Sequence, residues 1–448
     1  MHMKSIVVGV SSALSLAALA ADEVAPNPLD PQVSNVRMEQ DDRHIVTVKY
    51  DLDADAIITF DVMTNGVSIG GENVRFVTGD ANRLVQAGLN RELRWNAARS
   101  WPGRRFDTPV VSVRVSAWAK DMPPDYMVVD LTASKKVTYY TAPEFLPGGL
   151  LSNDLYYTSA IVMRHIPAGG VEWQMGTATE PGRAGYMCDG KEAAHMVTLD
   201  SDYYMAVFPI TQGQWSRYKD NTAFFTVDGT KRMMEHVHFG DIRGADAASY
   251  YPEPPHAESF LGKLRAHTSI DFDLPGEAQW EFACRAGTQE GYWNDGSPIT
   301  LTASSGNYDN NVPGRYKYKD GWTYSGSGDV KMQASYIAPT AASDPSAGSP
   351  IPGRYGCNAF GLYDMHGGVY EACLDWVDGD ITELNGRINA NGAQTLKGVN
   401  GSSHVSRGGS WQEYAYLCRS SSRAGTFSSA TRYENCGFRV MCPYPAVK

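Results

Sequence analysis

The seven cysteines contain no C-x-x-C pair, so neither a zinc ribbon nor a thioredoxin-like redox site is indicated. The 448-residue chain also lacks a basic excess. Its 39 Lys and Arg against 50 Asp and Glu leave a formal charge of −11, which argues against nucleic acid, whose phosphates demand a basic face. Beyond a short apolar run at the start, no segment approaches the eighteen or so apolar residues of a membrane helix. No G-x-S-x-G elbow, phosphate loop or dinucleotide fingerprint stands out, and no internal repeat does either. An apolar fraction of 42% with 20% charge excludes a disordered chain and leaves a globular protein of two or three domains, long enough for more than one core.

The first twenty residues read as a secretory signal: Lys4 gives the positive start, Ile6 to Ala18 the apolar run and Ala18-Leu19-Ala20 a small-x-small cleavage site. A retained N-terminal anchor is the alternative. The expectation is an exported protein, periplasmic or secreted, with no transmembrane segment after signal removal. Export permits disulfides among Cys188, Cys284, Cys357, Cys373, Cys418, Cys436 and Cys442, and the odd count leaves one thiol free or intermolecular.

Residues 31–140 alternate apolar and polar in short runs, at His44–Tyr50, Ile57–Met63, Val111–Trp118 and Tyr126–Leu131, with the hairpin signal Asn65-Gly66 after the second run. This predicts a small all-β, sandwich-like domain with no catalytic constellation. Pro143, Pro147, Gly148 and Gly149 make 141–158 a linker. A second domain over 160–443 opens with a strand at Ile161–Ile166 and continues in strand over Val197–Val207. Thr211 and Gln214 form a capping box for a helix carrying Trp215 and Tyr218. Further helices are predicted at Ala257–Arg265 and Pro275–Ala286. Residues 291–356 are rich in Gly, Ser, Asn and Tyr and show hardly any regular pattern.

The stretch Cys357–Trp376, C-N-A-F-G-L-Y-D-M-H-G-G-V-Y-E-A-C-L-D-W, concentrates glycines, acids and aromatics. Asp364 and Glu371 stand seven residues apart around a glycine-rich loop, and carboxylates plus loop carbonyls are what calcium takes. An ordinary loop with surface acids is the plainer alternative. His236 and His238 form an H-x-H with metal spacing, but no third ligand lies nearby in sequence and a solvated loop fits better.

That stretch resembles the G-L-Y-D-M-x-G-N-V-W-E-W segment of the formylglycine-generating enzyme, or sulfatase-modifying-factor, family. Three more blocks agree in type and order. Val171–Gly176 resembles the opening F-x-M-G strand, and Asp273–Glu281 resembles R-L-P-T-E-A-E-W-E. Arg407–Trp411, Cys418-Arg419 and Gly437-Phe438-Arg439 resemble the R-G-G-S-W…C-R…G-F-R ending. The resemblance covers roughly residues 160–443 and implies an α+β, irregular C-type-lectin-like fold with little regular structure, held by calcium, disulfides and buried polar networks.

Carried over residue by residue, the family's calcium ligands fall on Asp364, Gly367, Val369 and Glu371, with Gly367 and Val369 using main-chain oxygens. A second calcium site falls on Asn307, Tyr308, Asp320 and Trp322, one residue shorter than the family spacing; an Asn/Asp-rich turn cluster is its alternative. The family's oxidases carry two closely spaced cysteines after the G-G-S block, soft ligands for Cu(I). Here the first position is Glu413, and Cys418 falls on the second only when counted forward from the glycines, not back from Arg423. A carboxylate does not complete a two-thiolate site, so copper is not expected. If an oxidase is retained, Cys418 and Ser410 are its catalytic candidates.

The resemblance also implies a Cys284–Cys418 disulfide closing a loop of more than a hundred residues, worth about 4–5 kcal/mol in loop entropy. Cys373 and Cys436 could pair similarly. The Tyr- and Ser-rich C-terminal segment offers Trp411, Tyr414, Tyr416, Arg423, Arg432 and Tyr433 as a binding surface. Plain core and rim of the fold is its alternative. The expected function is a calcium-stabilised, non-catalytic module for an extracellular or periplasmic protein or glycan. The alternative is an oxidase acting on a cysteine of an exported sulfatase-like client.

Overall fold

The computed structural model of the chain describes residues 30–103, 111–133, 136–177, 192, 194–226, 229–244, 252–289, 292–294, 297–299, 349–353, 356–377, 403–411, 415–423 and 425–446. The signal segment, Cys188, the second calcium set Asn307, Tyr308, Asp320 and Trp322, and both Glu413 and Tyr414 lie outside them. The chain divides into two compact units, one built from the residues up to Val128 with Val137–Asn153, the other from Val129–Lys136 with Asp154–Ala446.

The first unit contains β1 (Val33–Gln40), β2 (Ile45–Leu52), β3 (Ala56–Thr64), β4 (Val67–Ser68), β5 (Val77–Gly79), β6 (Arg83–Val85), β7 (Gly88–Asn96), the single turn α1 (Ala97–Ser100) and β8 (Val111–Trp118). One sheet runs β1-β2-β7-β5; a second runs β4-β3-β6 with β8 on β3. The period-two pattern has its expected effect: Val48, Tyr50, Leu93 and Trp95 of one sheet share a core with Ile58, Phe60, Val62 and Val115 of the other. Asn65 and Gly66 both take positive φ (51° and 81°), the requirement of the tight turn between β3 and β4. Residues 141–153 belong to this unit rather than forming a linker, because Leu146 is fully buried and Phe145 packs on the core.

Strands β9 (Tyr126–Asp130) and β10 (Val137–Tyr140) precede α2 (Leu155–Thr158), β11 (Ala160–Ile166), β12 (Glu172–Met175), β13 (His195–Thr198) and β14 (Tyr203–Ala206). The expected continuous strand over Val197–Val207 is two strands, with β13 paired to β12 and β14 to β11. Gly169 N–H and the His165 ring both bond Asp202 (2.8 and 2.9 Å), which fixes the turn between them. The capping box forms at Thr211, but α3 (Gln212–Trp215) is one turn long. Next come α4 (Phe239–Ile242), α5 (Phe260–Thr268) and α6 (Glu277–Arg285), then β15 (Tyr292–Asn294), β16 (Ser297–Ile299), β17 (Tyr370–Trp376), β18 (Ser403–Arg407), β19 (Gly425–Ser428), β20 (Cys436–Gly437) and β21 (Met441–Pro443). Strand β14 lies between β11 and β21, and a second sheet runs β19-β18-β17-β20. Helix α6 is buried along its whole length, so its three charged side chains must find partners inside. Among the described residues no helix is long and apolar enough to cross a membrane.

Candidate functional site

The loop between Asn358 and β17 is shaped by backbone positions that few side chains tolerate. Gly361, Gly367 and Gly368 have φ of 79°, 100° and 76°, and Asp364 itself sits at 58°. A Cβ on Gly368 would stand 2.8 Å from Met233 Sδ. Asn358 closes the loop base, accepting from Leu362 N–H (3.1 Å) and donating to the Ala283 carbonyl (2.8 Å) at the end of α6.

Asp364 is 2% exposed. It accepts the Gly353 N–H at 2.6 Å, and burial pushes its carboxyl up to about 7 against that bond and the nearby Arg439 charge. Glu371, on β17, is fully buried and held by Arg439: Nε to Oε2 and Nη2 to Oε1, both 2.7 Å. Trp280 Nε1 adds a third bond, to Oε2 at 2.7 Å. Arg439 also donates to the carbonyls of Ala206, Val207 and Tyr363 (2.9, 3.2 and 2.8 Å), so one guanidinium ties β14, the 358–369 loop and β17 together.

Two observations bear on a cation at this loop. Among the described residues Asp364 is a buried carboxylate without an ion pair, and Glu371 Oε1 accepts from one donor, which leaves a lone pair over. The donor set of hard oxygens therefore fits calcium. Among the described residues no three His, Cys, Asp or Glu side chains cluster as a metal site, so main-chain oxygens would have to complete the shell.

The catalytic candidates are interior. Ser410 is fully buried and accepts Asn435 Nδ2 at 3.2 Å. Cys418 is fully buried beneath Gly409, whose φ of 71° and missing Cβ leave room for the sulfur. Cys284 and Cys418 are not joined in the structure, and among the described cysteines no disulfide forms. Cys284 Sγ instead faces Ser420 Oγ at 3.5 Å and His366 Nε2 at 3.9 Å. Burial pushes that thiol up to about 12 and the His366 imidazole down to about 4, so both are neutral near pH 7.

The expected binding surface divides. Trp411 (1% exposed) and Arg423 (7%) are core residues: Trp411 packs edge-on against Phe225 and Arg423 Nε bonds Glu277 at 2.6 Å. A tryptophan in a well-packed interior and an arginine with a buried carboxylate are better placed inside than out. Arg432 holds Asp241 through two bonds of 2.8 and 2.9 Å, and Tyr433 is 46% exposed. The side chain of Tyr416 lies outside the described residues. His236 and His238 hold loops rather than a metal: His236 Nδ1 lies 2.7 Å from the Thr222 carbonyl and His238 caps α4.

Sequence reading missed a second charged centre. Glu281 binds Arg285 Nε at 2.8 Å, Arg407 and the Gly176 N–H, while Glu277 takes Arg423 and Arg407. Burial raises the Glu281 carboxyl, but the Arg285 and Arg407 charges outweigh it and hold it below its ordinary value. Arg419 pairs with Glu192 across 227 residues of chain at 2.9 Å. The signal was available only in part: i, i+4 spacing flags Glu281–Arg285, while the remaining partners are far apart in sequence.

Residues 158–443 match the sulfatase-modifying factor enzyme 1-like domain, and the chain belongs to that family. It is 25% identical over 290 residues to the formylglycine-generating enzyme of Mus musculus, covering 56% of this chain and 68% of that protein. The formylglycine-generating enzyme of Bos taurus is 24% identical over 335 residues (66% of this chain, 77% of that protein). The chaperone protein LppX of Paenibacillus barcinonensis is 26% identical over 199 residues (40% and 64%). Among solved structures, Treponema denticola variable protein 1 is similar with a TM-score of 0.44 and 21% identity, over 63% of this chain and 95% of that one. PvdO from Pseudomonas aeruginosa is similar with a TM-score of 0.42 and 20% identity, over 63% and 94%.

Proposed function

We propose that this protein is a non-catalytic binding or scaffold member of the sulfatase-modifying-factor family, exported and acting on a protein or glycan outside the cytoplasm. The observation that carries this reading is the state of Cys418: a fully buried sulfur under Gly409, with a carboxylate, Glu413, at the first cysteine position of the family's oxidases. A client cysteine cannot be exchanged onto a sulfur it cannot reach, and one thiolate does not make a two-thiolate Cu(I) site.

Calcium is the cofactor this reading includes. Asp364 with the main-chain oxygens of Gly367 and Val369 would hold it, joined by the free lone pair of Glu371 Oε1. Its role is to compensate the buried Asp364 carboxylate and stiffen the loop that carries it.

The test is direct. The purified full chain, loaded with Cu(I) and exposed to oxygen, is incubated with a cysteine-containing peptide, and the peptide is weighed by mass spectrometry. Unchanged peptide is the expected result. Conversion of its cysteine to an aldehyde would establish the oxidase instead.

A further inference from the structure

A cavity of about 300 Å³ opens beside α3, lined by Thr158, Gln212, Gly213, Ser216, Arg217, Asn221 and Thr230. All seven belong to the second unit. At the small end of ligand sites, it suits one ring-sized molecule. The hydrogen-bonding state of its lining says more. Thr158 Oγ1 donates to the Asp154 carbonyl (2.9 Å) and Ser216 Oγ to the Gln212 carbonyl (2.8 Å). With their protons committed, both hydroxyls present acceptor lone pairs.

The donors are equally well prepared. Arg217 Nε is fixed on the Thr158 carbonyl at 3.2 Å, and neither Nη group bonds any described residue. Asn221 Nδ2 spends one hydrogen on Gln212 Oε1 (3.2 Å), its Oδ1 accepts Ala223 N–H (3.0 Å), and its second amide hydrogen bonds no described residue. Gln212 is locked from its other end, Nε2 donating to the Phe225 carbonyl at 2.8 Å. Asp154, whose carbonyl accepts from Thr158, has its carboxylate paired with Lys231 at 2.5 Å. The same 221–226 loop carries Phe224, 52% exposed, one residue before the carbonyl that anchors Gln212.

We infer that this cavity binds a pyranose ring bearing a carboxylate, a uronic acid residue. A sugar hydroxyl both donates and accepts, which matches fixed acceptors facing fixed donors, and a carboxylate matches the two free Nη groups of an arginine already held by its Nε. This inference rests on the binding-module reading and names a ligand class for it.

The test uses the full chain and saturation-transfer NMR with three probes: D-glucuronate, its methyl glycoside and D-glucose. Transfer to glucuronate above glucose is the expected result; transfer to the glycoside as well identifies the end of a glycan, and its absence identifies the free acid. Arg217→Ala, an exposed substitution that leaves the fold intact, should weaken glucuronate about tenfold or more and leave glucose unchanged. Ser216→Ala should weaken both sugars. No transfer from glucuronate to the wild-type chain, or unchanged discrimination in Arg217→Ala, overturns the inference. A protein that fails here and yet leaves the cysteine peptide unoxidised loses this ligand class and keeps its place as a binding module.

Discussion

Replacing Arg439 with Met isolates what the guanidinium contributes at the centre of the second unit. Methionine keeps much of the apolar bulk and removes five donated bonds, two of them to Glu371. Breaking a buried pair by deleting one partner costs about 3–5 kcal/mol, because the remaining charge is stranded. Each carbonyl of Ala206, Val207 and Tyr363 that loses its donor adds about 1 kcal/mol. The sum, about 6–8 kcal/mol, rivals the whole stability of an ordinary domain. The double variant Arg439→Met with Glu371→Gln removes both charges while Trp280 can still donate to the amide oxygen, so it should recover about 2–3 kcal/mol relative to additivity. Urea unfolding at fixed calcium gives the energies, and hydrogen exchange of residues 370–376 by mass spectrometry shows that the loss falls on β17. A coupling below about 0.5 kcal/mol, or unchanged protection of β17, would refute the assignment of Arg439 as the residue that holds this centre together.

Three further outcomes follow from the same geometry. Calcium should raise the melting temperature of the wild-type chain, and in Asp364→Asn that rise should largely disappear in scanning calorimetry; an equal rise in both would remove Asp364 from the site. Gly409→Ala should cost about 2–5 kcal/mol, since its φ is 71° and the new Cβ would fall on Cys418 Sγ. Gly170→Ala, at φ 74° with nothing within 4 Å, should cost only about 1 kcal/mol; equal melting points for the two would show that the Cys418 contact is unimportant. Glu281 lies below its ordinary 4.5 when folded, so the unfolded chain binds more protons in that range. Its contribution is present above about pH 4.5 and lost as pH falls through the folded value, so Glu281→Gln should show a flatter fall in urea stability on acidification than wild type.

The sequence by itself determined whatever depends on near neighbours in the chain. Period-two burial placed β2, β3 and β8, Asn65-Gly66 placed their turn, and Thr211 with Gln214 placed a helix start. The glycines around Asp364 marked the loop because positive φ is a local demand, and four ordered motifs were enough to assign the family. Local pattern failed where length or partners were set from afar. The capping box at Thr211 gave one turn rather than a long helix, and Val197–Val207 broke into two strands with different partners.

Only the tertiary structure decided which charges face which. Glu371 looked like a ligand and is also the counter-ion of Arg439, 68 residues on; Arg423 and Trp411 looked like surface and are interior. The cavity beside α3 gathers Thr158, Arg217 and Thr230 from three separate stretches. The physical reason is common to all of these. A buried charge or an open cavity is defined by what surrounds it in space, and in a fold this short of regular structure that surrounding is assembled from distant loops, whose pairing no local periodicity records.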